Sequence, residues 1–304
     1  MTRQRKRCSA DLRGGPEPLG VRTLRVGALV NTSSGRYDLG AGTELETLLK
    51  EAECRVAKVW YVDAGAVDAA LQDARTHELD VLIVLGGDGT VSAAAEMCST
   101  AGPYLIPLPG GTMNRLSKSL YGDLSWQDVL RATLAAPIVR SVDGGRIGEK
   151  QFFVSAIIGN ASLFAEAREA FRDGDIGKAL REGFQAVSKT FEGSLHYDFR
   201  GQSGEAKAVY VRCPLTSPAM RDEGLAFAVA AITPEGALDA LKLALWPLFS
   251  EATKDHKFGS ANVRRVEIRS DGPILAVLDG ETSELGKVAV VDFVQAAFKA
   301  LVPA

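Results

Sequence analysis

The sequence predicts an α/β N-terminal domain with a parallel sheet, followed by a β-rich C-terminal domain of sandwich type. Three observations predict it. Short apolar runs alternate with amphipathic helical stretches over the first 140 residues, at the spacing of parallel strands joined by crossover helices. After residue 140 candidate strands follow one another with few helices between them, as in a sandwich or barrel. Two Gly-rich loops close successive N-terminal strands, at the edge where open parallel sheets bind ligands.

The chain has 304 residues, enough for about two domains. Apolar residues make up 46% and charged residues 24%, too apolar a balance for a disordered chain. The net charge of −3 argues against a protein that holds nucleic acid through overall positive charge. Cys8, Cys54, Cys98 and Cys213 are widely scattered, and with 3 histidines in the chain no zinc-site spacing appears. They read as reduced thiols of an intracellular protein. The longest uncharged run, 97–114, is broken by Pro103, Pro107 and Pro109, so it is no membrane span.

Residues 1–20 read as a disordered basic tail. Arg3, Arg5, Lys6 and Arg7 lie close together in it, with no apolar stretch behind them to make a secretory signal. Such a cluster can tether a protein weakly to an anionic membrane, at about 1 kcal/mol per basic residue. The α/β domain is read over 21–140. Strands are expected at 23–31, 54–62, 79–85 and 104–109, and helices at 42–53, 66–75, 90–98 and 113–121. The run 79–85, LDVLIVL, is apolar on both faces, as in a buried parallel strand. Strands of the second domain, 141–290, are expected near 138–147, 151–158, 194–200, 206–213, 225–233, 262–269, 274–279 and 287–292. A long helical segment near 164–191 interrupts them. Its Ile176, Leu180, Phe184, Val187 and Phe191 form one apolar stripe, suited to core packing or to the wall of an acyl-chain pocket, with Lys178, Arg181 and Lys189 off the stripe.

The strongest chemical signal is Gly86-Gly87-Asp88-Gly89-Thr90, directly between a strand and a helix. Its glycines leave backbone N–H groups open to a polyphosphate, and the helix N-terminus adds its positive end. Thr90 is well placed as the helix N-cap. Asp88 by itself would repel phosphate, so it suggests a Mg²⁺ ion or a proton-handling role. The second loop, Pro109-Gly110-Gly111-Thr112-Met113-Asn114, follows the next strand, and Thr112 and Asn114 can each hydrogen-bond to phosphate or to a neighbouring loop. The third signal is Asp279-Gly280-Glu281, after an apolar run. Carboxylates at i and i+2 on a strand share one face about 7 Å apart, and a Gly-opened turn can bring them together. They suit a general base with a metal- or hydroxyl-binding partner.

These pieces, in this order, resemble the diacylglycerol kinase catalytic family, which includes bacterial lipid kinases and the sphingosine and ceramide kinases. The resemblance runs from Leu24 to Leu301. GGDGT matches in full; Pro109, Gly111, Thr112 and Asn114 meet the family's Pro-x-Gly-Thr-x-Asn loop; 279–281 meet its late Asp-Gly-Glu; and Asn31, Ser34 and Gly35 meet its first loop. The resemblance implies an NAD kinase/diacylglycerol kinase-like nucleotide domain and a lipid-holding sandwich, with the active site between them and segment 291–304 returning to the first domain. It implies ATP bound by Asn31, Ser34, Gly35, Asp63, Gly86–Thr90, Gly111, Thr112 and Asn114. Asp88, Asp279 and Glu281 are the implied catalytic carboxylates, with one of the last two as base.

The chain departs from the family at several points. Thr32 stands for the usual Pro of the first loop, and Asp63 stands where a Thr commonly touches the nucleotide. Arg115 follows Asn114 where an acid is common. Glu235 replaces the Asp of a structural Mg²⁺ stretch, so Asp88 and Glu235 are the candidate metal ligands. That last change favours a ceramide- or sphingoid-type substrate over diacylglycerol. The implied partners are a membrane lipid substrate, an anionic membrane surface and a second copy of the chain as a homodimer, with no nucleic acid. The implied location is the cytoplasm, peripheral to the inner face of the membrane. Two other readings share GGDGT: an NAD kinase-like soluble polyphosphate kinase and an inactive nucleotide-sensing module.

Overall fold

The computed structural model describes residues 23–35, 40–99, 101–159, 195–199, 201–216, 226–232 and 260–304. The basic tail, the apolar stripe of 176–191 and Glu235 lie outside them. The N-terminal part alternates β1 (Arg25–Asn31), α1 (Ala41–Glu51), β2 (Arg55–Val62), α2 (Val67–Thr76), β3 (Val81–Gly86), α3 (Asp88–Met97), β4 (Tyr104–Pro109), α4 (Arg115–Tyr121) and α5 (Trp126–Ala135). The four strands are parallel in the order β2-β1-β3-β4. Every residue of β3 is buried, because helices cover both faces of its sheet. The core here includes Leu29, Leu45, Leu49, Leu82, Ile83 and Leu105.

The chain then runs through β5 (Pro137–Ile147), β6 (Lys150–Phe152), β7 (Ser155–Gly159), β8 (Leu195–Phe199), β9 (Gln202–Ala206), β10 (Ala208–Arg212), β11 (Phe227–Ile232), β12 (Ser260–Val263), β13 (Arg265–Arg269), β14 (Ile274–Leu278), β15 (Glu281–Leu285) and β16 (Val288–Pro303). A six-stranded antiparallel sheet, β12-β11-β10-β7-β14-β15, packs on the antiparallel end of the first sheet. Phe152, Phe199, Phe227, Val211 and Ile268 fill this second core. The fold is therefore a parallel α/β layer followed by a β-rich, two-sheet layer, the class expected from the sequence.

β16 belongs to both parts. Val288–Asp292 pair with β13, and Ala300 pairs with Leu105 of β4. β5 runs antiparallel beside it along nearly its whole length. The register shifts between Val294 and Phe298, where Ala296 has φ 48° and its N–H donates to Asp143 Oδ1 at 2.7 Å. That is a β-bulge.

Several local expectations need correction. The N-cap of α3 is Gly87, and Thr90 lies inside the helix. The helix α5 was not expected; Ser125 caps it by accepting from the Asp128 N–H. The run 151–158 splits into β6 and β7, and 262–269 into β12 and β13. The strands β9 and β15 were missed, and the expected strand 287–292 extends to sixteen residues as β16.

Candidate active site

The site is built where the strand order reverses, outside the carboxyl ends of β1 and β3. Asn31 ends β1, and its Nδ2 donates to Thr90 Oγ1 at 2.8 Å, which joins the first loop to the start of α3. Its Oδ1 accepts from the Ser33 N–H at 3.0 Å, and its carbonyl accepts from the Ser34 N–H at 3.1 Å. The turn thus forms with Thr32 in place of Pro. Thr32 donates both its N–H and its hydroxyl to the Val62 carbonyl, tying the loop to β2. The Ser34 hydroxyl oxygen is buried without a hydrogen-bond partner. Asp63, next to Val62, accepts from the Ala66 N–H at 3.1 Å and caps the 3₁₀ turn Ala64–Ala66.

The two Gly-rich loops touch along their backbones. The Gly110 N–H donates to the Gly86 carbonyl at 2.9 Å. A Cβ at Gly111 would lie 2.5 Å from Gly87 Cα, and one at Gly86 would lie 2.8 Å from Thr90 Cβ. A side chain at Gly111 would force the loops apart, and one at Gly86 would press on Thr90 in the first turn of α3. A Cβ at Gly87 would sit 3.6 Å from Gly111 Cα, an ordinary contact, so the loop is open on that side. Asn114 adopts φ 52° and closes on its own loop: Oδ1 accepts from the Gly111 N–H and Nδ2 donates to the Gly111 carbonyl, each at 2.7 Å. Thr112 is exposed, and a Cβ on Gly35 would come within 3.3 Å of its hydroxyl, so the first and second loops meet there. Asp88 Oδ1 accepts from the Arg115 N–H at 2.6 Å, bridging the starts of α3 and α4.

The Asp-Gly-Glu triplet separates into a turn and a strand. Asp279 (φ 49°) and Gly280 (φ 99°) form the two-residue turn between β14 and β15, and Leu278 pairs with Glu281. Positive φ at both central residues is the geometry that suits tight hairpins. The Asp279 carboxylate is buried and accepts four hydrogen bonds: from the N–H groups of Phe153 (2.7 Å), Val154 (2.8 Å) and Ser155 (2.9 Å), and from Ser92 Oγ (3.0 Å). Burial pushes its carboxyl above the usual carboxylate range, and the four donors pull it partly back. Glu281 is exposed. A Cβ built on Gly89 would lie 2.6 Å from its Oε1, so this carboxylate rests on the first turn of α3 beside Asp88.

The sequence reading missed Ser92, the Phe153–Ser155 backbone and the Arg115 N–H as partners of these acids. Ser92 was within reach of it, since it stands one helical turn from Asp88; the strand amides carry no side-chain signature. Cys54, Cys98 and Cys213 stand in no disulfide, and burial pushes each thiol up.

Among the described residues no group of three or more His, Cys, Asp or Glu is arranged to hold a metal ion. Mg²⁺ in phosphoryl-transfer sites uses one or two carboxylates plus the phosphates themselves. Asp88, which opens α3 at the phosphate loop, is a fitting carboxylate. The orphaned Ser34 hydroxyl and the side-chain-free cradle at Gly87 fit a nucleotide phosphate.

Gly-rich loops at a parallel sheet edge, faced by a carboxylate from the second part of the chain, suit the binding of a phosphate group. Residues 25–147 match the family model for the diacylglycerol kinase catalytic domain. That match spans the parallel α/β part of the chain, from β1 through β5. Three solved structures from Bacillus anthracis str. Sterne share the fold. A candidate diacylglycerol kinase is 21% identical, with 91% of this chain and 96% of its own covered and a TM-score of 0.70. A second candidate is 21% identical, with 92% and 99% covered and a TM-score of 0.67. A diacylglycerol kinase is 20% identical, with 91% and 96% covered and a TM-score of 0.64.

Proposed function

We propose that the protein transfers the γ-phosphate of ATP to a hydroxyl of a membrane lipid, either diacylglycerol or a ceramide or sphingoid lipid. The observation that carries this reading is the seating of Glu281 against Gly89, which brings an exposed carboxylate from the second domain to the phosphate loops of the first. The loops Asn31–Gly35, Gly86–Thr90 and Gly110–Asn114 would hold the nucleotide, with Asp88 as the protein's ligand to Mg²⁺ when it is bound. Bound Mg²⁺ supplies charge neutralisation at the phosphates.

Phosphoryl transfer depends on positioning and on neutralising charge, with a base to take the acceptor's proton. As the lipid oxygen bonds to the γ-phosphorus and the bond to ADP breaks, that proton needs an open carboxylate. Asp279 already accepts four hydrogen bonds, which supports a positioning role: it locks the hairpin that carries Glu281. Glu281 is then the base. The protein would dock reversibly on the anionic inner face of the membrane, with basic residues 3–7 contributing. No helix among the described residues is long and apolar enough to cross a membrane.

The test is transfer of labelled γ-phosphate to diacylglycerol, ceramide, sphingosine, monoacylglycerol and phosphatidylglycerol in mixed micelles, with NAD alongside. Transfer to one of the lipids is expected; labelling of NAD alone would replace this reading with a soluble kinase. Glu281→Gln should lose roughly 10²–10⁴-fold in kcat with ATP affinity intact. Near-normal turnover would move the base to Asp88.

A further inference from the structure

Arg212 ends β10. Val209 and Val211 of that strand point into the second core, so Arg212 faces the opposite side of the sheet. It pairs with Ser155 of β7, whose N–H donates to Asp279 and whose carbonyl accepts from the Asp279 N–H. Arg212 therefore stands in the row of residues that ends in the acidic hairpin. It is 7% exposed, and its Nε is buried without a hydrogen-bond partner. The Asp279 carboxylate is held by four other donors and takes no hydrogen bond from Arg212. Among the described residues no carboxylate pairs with it, and a buried cation without a counter-ion destabilises a fold.

A second arginine comes from the element packed at the end of β10. Arg115 opens α4, which packs against Pro214–Thr216, the 3₁₀ turn one residue beyond β10. Leu215 of that turn rests on the first core. Arg115 is partly buried, its N–H is held by Asp88, and among the described residues neither arginine has an ion-pair partner. Burial and the charge of Arg115 together hold the Arg212 guanidinium below the ordinary arginine range. Two like charges brought together at a domain junction call for an anion between them. Guanidinium forks match the oxygens of a phosphate dianion two at a time.

We propose that Arg115 and Arg212 form a two-guanidinium seat for the phosphoryl group in transit from nucleotide to lipid. The proposal rests on the kinase reading and names the site at which that reading's transferred group is gripped. It predicts selectivity for ATP over ADP, since only ATP carries the group.

The test uses the full chain with ATP and ADP, each with Mg²⁺, by calorimetry, together with thermal unfolding. Arg212→Met and Arg115→Gln should leave ADP affinity unchanged and weaken ATP binding about 10- to 100-fold, the range for hydrogen bonds to a charged group. Arg212→Lys should recover part of the loss. Arg212→Met should also raise Tm, the opposite of what a structural arginine would do. Should Arg212→Met fold poorly, Arg115→Gln still decides. An unchanged preference for ATP over ADP in the folded variants overturns the seat and leaves the kinase reading standing. Wild-type protein that binds neither nucleotide overturns both.

Discussion

Asp279 and Glu281 are two residues apart, yet the fold separates their chemistry. Asp279 serves three backbone N–H groups and a serine hydroxyl, so its loss strands several buried donors at once. Asp279→Ala should cost roughly 3 kcal/mol or more in denaturant unfolding, at about 1–3 kcal/mol per unsatisfied buried group. Asp279→Asn, which tolerates positive φ and keeps one acceptor oxygen, should cost less. Equal stability of wild type and Asp279→Ala would remove the positioning role. The glycines separate in the same way. Gly111→Ala drives a Cβ into the Gly87 backbone and should unfold the loops, whereas Gly87→Val should fold and weaken ATP binding by filling the phosphate path. Unchanged ATP affinity in folded Gly87→Val would count against the cradle. The identities of these residues were legible in the sequence, because glycines and acids at strand ends have few other uses. Their division of labour was not, because it depends on the amides of Phe153–Ser155, more than a hundred residues away.

Periodicity located most N-terminal elements to within a few residues, since each strand there is short, apolar and closed by a turn. It failed where pairing partners decide the structure. The stretch 293–299, FVQAAFK, has no strand alternation, and pairing with neighbours such as β5 holds it extended. The helix α5 was missed because the sequence reading took no account of Ser125 as a cap. One tie between elements predicts a pH dependence. Asp73 of α2 accepts from Lys58 Nζ (2.6 Å) and Trp60 Nε1 (2.8 Å) of β2. The Lys58 and Trp60 hydrogen bonds hold its carboxyl down at about 2. A lowered carboxyl stabilises the fold above its unfolded value of about 4, and that contribution is lost as pH falls towards about 2. Asp73→Asn should therefore melt below wild type at pH 7, with the gap closing across that acid window. A gap independent of pH would refute the assignment.

The molecule holds two cores, and β16 is stitched into both. Residues 297–302 of this strand pack in the first core, alongside elements that precede them by some 200 residues. A chain ending at Gln295 would lose Phe298, Leu301 and Val302 from that core, at roughly 1.5–3 kcal/mol per fully buried side chain. Such a truncation should be insoluble or lack a cooperative melt, even though GGDGT and Asp-Gly-Glu are both retained. A cooperative melt like that of the full chain would show the strand to be dispensable. The two-part architecture was legible from the change of pattern near residue 140. The sharing of one strand was not, since nothing local records which sheet an extended segment will join.

That sharing has a mechanical consequence. β5 and β16 cross between the two halves as a two-stranded ribbon, paired on either side of the bulge at Ala296. Such a ribbon resists stretching and shear, because either would break its ladder rung by rung, but it twists with little opposition. The halves are thus coupled like shafts joined by a torsion bar. Of the movements open to this ribbon, twisting at the bulge, where the rungs are interrupted, meets the least resistance.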